Sequence, residues 1–142
     1  MSALRPGGRR KTPPGVLDGI HVLLVGGHEE SRDVLTRLLR YAGAFVTAAP
    51  TANEARAALR IVLPHVLIVD IGLPEAADLG LLAGLRATPT LRELPAVALT
   101  GRGTLEVRRR AMQAGFQALL LPPVDPDVLC RLILALARRT AP

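Results

Sequence analysis

The sequence predicts a single doubly wound α/β domain, and three observations carry that prediction. Short apolar runs alternate five times with longer stretches of helical period. The runs are apolar at nearly every position rather than at alternate ones, as strands covered on both faces require. Finally, 142 residues of which 49% are apolar supply one substantial core but fall short of two ordinary domains.

The five runs are His21–Val25, Phe45–Ala48, Val66–Val69, Ala96–Leu99 and Ala118–Leu121, each bounded by turn residues. Between them the helices carry their own signals. Val34, Leu35, Leu38, Leu39 and Ala42 fall on one stripe that Gly43 ends. Thr51-Ala52-Asn53-Glu54 reads as a capping box opening a helix that Pro64 closes. A third helix is expected near Asp78–Ala87, where Gly80 and Gly84 each cost about 1 kcal/mol relative to alanine. Thr104 caps the fourth, which Gly115 ends. Asp125-Pro126 sets a cap and a first-turn proline before a fifth helix with the stripe Val128, Leu129, Leu132, Ile133 and Leu136.

Composition narrows the function classes. Aromatics are only 2% of the chain, so the core must be built from Leu, Val, Ile and Ala. The net charge is +6, and half of it sits in residues 1–19, where Arg5, Arg9, Arg10 and Lys11 face Asp18 alone. We expect residues 1–19 to be a flexible basic tail and residues 20–140 the folded domain. No aromatics interleave with those basic residues, so the stacking platform of a nucleic-acid binder is missing and nucleic acid is not the expected partner. Cys130 is the sole cysteine, which excludes an intramolecular disulfide and a thiolate metal cluster. Uncharged runs are interrupted before they reach the length of a membrane span. A cytoplasmic protein without membrane contact is expected.

In a doubly wound sheet a ligand site lies beyond the carboxyl ends of the strands. Those ends read Val25-Gly26-Gly27-His28, Asp70-Ile71-Gly72-Leu73-Pro74, Thr100-Gly101 and Pro122-Pro123 after the first, third, fourth and fifth strands. Asp70 is the carboxylate standing directly at a strand end. The two-glycine turn lacks the G-x-G-x-x-G spacing of a dinucleotide site. His21, His28 and His65 have neither metal-ligand spacing nor a nucleophile partner and read as strand-edge or loop residues. Cys130, just behind the last helical stripe, reads as a small packed hydrophobe.

Taken together and in order, four segments resemble the receiver domains of bacterial two-component response regulators. Val66-Leu67-Ile68-Val69-Asp70-Ile71-Gly72-Leu73-Pro74 is similar to the phosphoacceptor strand and its turn, and Val97-Ala98-Leu99-Thr100-Gly101 to the switch-threonine strand. Ala114-Gly115-Phe116-Gln117-Ala118 and Pro123-Val124-Asp125-Pro126 match the surroundings of the last strand and helix. The resemblance covers about Leu17 to Arg138 and implies a flavodoxin-like (CheY-like) fold, strand order 2-1-3-4-5 with five helices. It also implies a site: an acidic pair after the first strand and the phosphoacceptor aspartate hold Mg²⁺, while a threonine and a lysine contact the phosphoryl oxygens.

Matched residue by residue, Asp70 takes the phosphoacceptor position and Thr100 the switch position. Gly26 and Gly27 stand at the acidic pair, Pro122 at the lysine and Leu119 at the switch aromatic. Mg²⁺ binds through carboxylates, waters and phosphate, and this set offers Asp70 alone, so no cofactor is expected unless the Asp70 site is functional. Glu29 and Glu30 come a few residues late and are expected in the first turn of a helix, favourable to its dipole. Without the cation and the lysine, a phosphoryl transfer has little to neutralise its charge. The expected function is therefore a degenerate, non-enzymatic receiver acting by protein-protein interaction in two-component phosphorelay signalling, with no catalytic residues. The alternative is a phosphorylatable single-domain regulator that accepts phosphate on Asp70. Expected partners are a histidine kinase, a phosphotransfer protein or another regulator, with a possible homodimer through the fourth and fifth helices. Arg108, Arg109, Arg110, Arg131, Arg138 and Arg139 make those helices basic. Aspartates at 26 and 27 would be expected to bring three carboxylates to one point and restore the metal.

Overall fold

All five apolar runs form strands of one parallel sheet: β1 (His21–Gly26), β2 (Phe45–Ala49), β3 (Val66–Ile71), β4 (Ala96–Thr100) and β5 (Ala118–Leu120). Their order across the sheet is β2-β1-β3-β4-β5, the expected doubly wound topology. Helices α1 (Glu29–Tyr41), α2 (Ala52–Leu59), α3 (Ala76–Arg86), α4 (Leu105–Ala114) and α5 (Pro126–Arg139) connect or follow them, with a 3₁₀ turn at Pro89–Leu91 before β4. The architecture is that of the computed structural model, which describes residues 13–71, 76–101 and 103–139.

The three central strands are buried on both faces of the sheet. One side packs Val22, Leu24, Val66, Ile68, Val97 and Leu99 under α1 and α5. The other packs Leu23, Val25, Leu67, Val69, Ala96 and Ala98 under α2, α3 and α4. Alternate residues of each strand thus go to opposite cores, which is why the strands read as unbroken apolar runs. Cys130 belongs to the first core and is buried, as a packed hydrophobe should be.

The caps behave as their residue types require. Thr51 Oγ1 accepts from the Glu54 backbone N–H at 3.1 Å and donates to Glu54 Oε1 at 3.0 Å. Thr104 Oγ1 accepts from the Val107 N–H at 3.2 Å, and Gly115 closes α4 in the left-handed region at φ 106°. Asp125 Oδ1 accepts from the Asp127 N–H at 2.9 Å at the head of α5. Gly80 and Gly84 lie inside α3, where an added Cβ at either would meet open space, so the helix tolerates them without needing them.

Three expectations are corrected. α2 ends at Leu59, well before Pro64: the N–H groups of Arg60 and Ile61 bond Ala57 O and Ala58 O in tighter turns, and Leu63, preceding a proline, is disfavoured in helix. Val34 and Val128 sit on apolar stripes yet are exposed, because the buried lines run through Leu35 and Leu39 in α1 and through Leu129, Ile133 and Leu136 in α5. The domain also starts earlier than residue 20. Leu17 is 0% exposed within the first core, its N–H donating to Ala42 O at 2.7 Å, so the turn of residues 14–19 is anchored to the domain through that side chain. Residues 1–12 of that expected tail lie outside the described residues.

Candidate site at the carboxyl ends of the strands

Register places the site. β1 pairs with β3 so that Gly26 stands beside Asp70, and β3 pairs with β4 so that Asp70 stands beside Leu99 and Ile71 beside Thr100. Asp70 is half-buried and Thr100 is 1% exposed. The two residues matched to the phosphoacceptor and switch positions are therefore brought to neighbouring strand ends.

The two glycines that follow do more than lack side chains. Gly26 has φ 78° and Gly27 φ 83°, a region that an L residue enters at a cost of about 1–2 kcal/mol. A Cβ on Gly27 would run into Asp70 Oδ2 and lie 3.0 Å from its Cγ, and a Cβ on Gly26 would lie 3.0 Å from the Asp70 carbonyl oxygen. The turn therefore rests directly against the aspartate. From the other side Arg32 holds it, Nη1 donating to Gly27 O at 2.5 Å. Aspartates at 26 and 27 would therefore have to take up a backbone suited to glycine, and a side chain at 27 would press on the Asp70 carboxylate.

The remaining matched positions fall where their order in the chain puts them. Glu29 and Glu30 form the first turn of α1, exposed and favourable to its dipole. Pro122, in a cis Pro122-Pro123 pair after β5, is exposed and lines a cleft with Asp70. Leu119 is half-buried against the second core. Among the described residues no cluster of three His, Cys, Asp or Glu is arranged to hold a metal ion.

Two groups of contacts are not legible in the sequence. His21 and His65 meet at the opposite end of the sheet, where the His21 backbone N–H donates to His65 Nδ1 at 2.9 Å and His21 Nε2 lies 2.7 Å from Thr47 Oγ1. Burial, and secondarily the charge of His65, lowers the His21 pKa. Arg86, at the end of α3, donates to Leu94 O at 2.6 Å, Arg92 O at 3.0 Å and Gly115 O at 2.9 Å, tying together the ends of α3 and α4 and the entry to β4. Helical spacing shows neither, because each depends on residues distant in the chain.

The sequence model of the response regulator receiver domain matches residues 22–134. The chain belongs to this family. It is 39% identical over 112 residues to an uncharacterized 14.6 kDa protein from the sodA1 3′ region of Leptolyngbya boryana, covering 79% of this chain and 86% of that one. It is 36% identical over 111 residues to the response regulator Rre1 of Synechocystis, covering 78% of this chain but only 48% of Rre1, so it spans about half of that relative. Among solved structures it superposes on the receiver domain of the sensor histidine kinase PA1611 of Pseudomonas aeruginosa with a TM-score of 0.76 at 24% identity, covering 84% and 98% of the two chains. This receiver domain of two-component signalling has, among its described residues, no helix long and apolar enough to cross a membrane.

Proposed function

We propose that this receiver works chiefly by docking a protein partner, and that its Mg²⁺-dependent phosphorylation site is impaired. The observation that carries the reading is the packing of the Gly26-Gly27 turn against Asp70, at the positions where the family has its acidic pair. The PA1611 receiver was solved with a magnesium ion in its active site cleft. Here the matched positions supply one carboxylate, whereas Mg²⁺ demands near-octahedral oxygen ligands and gives up its waters reluctantly. Pro122 offers no cation in place of the lysine. Phosphoryl transfer depends on positioning and charge neutralisation acting as a unit, so losses at three positions reinforce one another.

A histidine kinase, a phosphotransfer protein or another regulator would be the partner. The basic helices favour an acidic surface on it. α4 and α5 belong to opposite faces of the sheet and flank its β5 edge, which also makes them the candidate face for a homodimer. Of their arginines, Arg110 is paired with Glu106 at 3.1 Å and Arg131 Nε donates to Asp127 O at 3.3 Å. Arg108 Nε likewise donates to Gly103 O at 3.3 Å, which leaves the exposed Arg109, Arg138 and Arg139 as the better candidates for contact.

The alternative reading, a regulator phosphorylated on Asp70, draws on the pairing that sets Asp70 and Thr100 at adjacent strand ends. One experiment separates the two: incubation with a small acyl-phosphate donor, with and without millimolar Mg²⁺, read by intact mass on the wild type and on Asp70→Asn. Partner docking predicts little labelling and no saturable Mg²⁺ binding. Efficient Mg²⁺-dependent labelling that Asp70→Asn abolishes would establish the alternative. Arg108→Glu with Arg109→Glu should weaken capture of an acidic partner at low and moderate salt while leaving the melting temperature unchanged.

A further inference from the structure

The two edges of the sheet are finished differently. β5 is a strand of three residues flanked by α4 and α5. β2 forms the other edge with Phe45-Val46-Thr47-Ala48-Ala49, which has none of the charges, prolines or bulges that blunt an edge strand. An open groove of about 550 Å³ follows this edge, lined by Phe45, Val46 and Thr47 together with Arg40 and His21. Of the two phenylalanines in the chain, Phe116 is buried in the second core, whereas Phe45 stands at the groove with 71% of its surface exposed. We infer that the β2 edge binds the β2 edge of a second copy of this chain, antiparallel and related to it by a twofold axis at Thr47. This edge lies across the sheet from the α4–α5 face, so the inference goes beyond the docking reading and leaves that face free for a partner.

Backbone and charge both select this occupant. The Phe45 N–H donates to Ile20 O at 2.9 Å, and the alternation of a parallel ladder then turns the backbone groups of Thr47 and Ala49 toward β1 and those of Val46 and Ala48 outward. The outward groups are symmetric about Thr47. With a twofold axis there, Val46 of each copy exchanges both backbone hydrogen bonds with Ala48 of the other, and the two Thr47 residues face each other as a non-hydrogen-bonded pair. Phe45 then falls opposite Ala49 of the second copy, where a methyl group leaves room for a ring. Among the described residues, the Arg40 guanidinium reaches this edge, Nη2 donating to Val46 O at 3.4 Å, a bond long enough for a strand N–H to replace. Arg40 gains a substitute. Asp33 and Arg40 stand seven residues apart on the flank of α1 beside β2, both exposed, and the twofold axis sets α1 antiparallel to its mate, which brings the acid of each copy toward the base of the other. An arbitrary extended peptide would use the same backbone groups without this reciprocal pairing.

The test is sedimentation velocity of the full chain from about 20 µM to about 1 mM, joined to amide hydrogen exchange read by NMR. The sedimentation coefficient should climb from monomer toward dimer across that range, and the Val46 and Ala48 amides, fast at the lowest concentration, should slow by about fivefold at the highest. Ala48→Pro removes an outward N–H that β1 does not use, and Ala48→Lys puts a charge at an exposed edge position. Each should hold the protein monomeric, and the lysine variant answers for the case in which proline disturbs the strand. Asp33→Arg should weaken the dimer, and Asp33→Arg with Arg40→Asp should restore it. With oxidised glutathione, Thr47→Cys should form a disulfide-linked dimer about fivefold faster than Ala48→Cys, although Ala48 is the more exposed, because only residues facing across the axis come within disulfide reach. Cys130 is buried and common to both. A chain that stays monomeric, dimerisation untouched by both Ala48 variants, equal cross-linking at 47 and 48, or protection of Val46 and Ala48 at every concentration would each overturn the inference. Loss of the dimer in Arg138→Glu with Arg139→Glu, but not in the Ala48 variants, would overturn it in favour of the α4–α5 face. No acidic partner enters these measurements, so their failure leaves the docking reading standing, and the failure of partner capture leaves the β2 assignment standing.

Discussion

Replacing Gly27 by alanine perturbs the fit of the turn against Asp70 at a single carbon. Two costs follow from the structure. At φ 83° an L residue pays about 1–2 kcal/mol of backbone strain. The new Cβ also meets the Asp70 carboxylate, so that side chain must leave its rotamer for about 0.5–1.5 kcal/mol more. The sum, about 1.5–3.5 kcal/mol, corresponds to a fall of roughly 5–14 °C in melting temperature for a domain of this size. The two parts can be measured apart. Gly19 has nearly the same φ, 81°, and nothing within 4 Å of an added Cβ, so Gly19→Ala reports backbone strain alone. In an Asp70→Ala background the carboxylate is gone, and Gly27→Ala should cost about 1 kcal/mol less than in the wild type. Urea unfolding of the four proteins of that cycle, at constant m-value, gives the coupling directly. Equal costs in the two backgrounds, or a Gly27→Ala protein as stable as the wild type, would refute the claim that the turn rests on Asp70.

Arg86→Ala should destabilise the domain by about 2–4 kcal/mol in urea, because it strands carbonyls that a guanidinium now satisfies; Arg86→Lys should recover only part, since one ammonium cannot reach both Leu94 O and Gly115 O. A chain starting at Pro13 should melt like the full-length protein, whereas one starting at Ile20 should lose about 3 kcal/mol through the buried Leu17 and its bond to Ala42 O, and equal melting of the two would show that Leu17 is dispensable. The His21 pKa is lowered from 6.5 in the folded state, so the unfolded chain binds the proton more readily and stability falls as pH drops through 6.5 toward the folded value. His21→Gln, which stays neutral, should flatten the melting temperature between pH 7 and pH 5, and an unchanged slope would assign the acid sensitivity elsewhere.

What the sequence discloses here depends on how local the cause is. The strands are legible because burial on both faces makes each an apolar run, but four of the runs stop short of the observed carboxyl end, and the fifth runs one residue past it. Gly26, Asp70 and Thr100 break the apolar pattern and still pair in register, since backbone hydrogen bonding does not require an apolar side chain. Caps such as Thr51, Thr104 and Asp125 are legible because donor and acceptor are two or three residues apart. Leu17 is hidden, an apolar residue between Pro13-Pro14-Gly15 and Asp18-Gly19 whose partner Ala42 is distant in the chain. At the site, the order of motifs is what matches Asp70, Thr100, Gly26, Gly27 and Pro122 to the family's positions. Their mutual geometry is not, because a glycine's sign of φ is set by the space its neighbours leave.

That geometry changes what the missing acidic pair means. Three carboxylates at one point are held together by a bound cation; without it they repel, and each raises the cost of keeping the others ionised. A receiver that no longer depends on Mg²⁺ would carry this repulsion with no return. Glycines at 26 and 27 remove it, and their left-handed backbone lets the turn close onto Asp70 while Arg32 grips it from α1. On the docking reading proposed above, a packed turn takes the place of a metal site, with a cleft lined by α1 residues and Asp70 beside it. Restoring the acidic residues would reverse only the chemistry. The positive φ at both positions and the close approach of Gly27 to Asp70 would remain, so acidic side chains there would meet backbone strain and the Asp70 carboxylate.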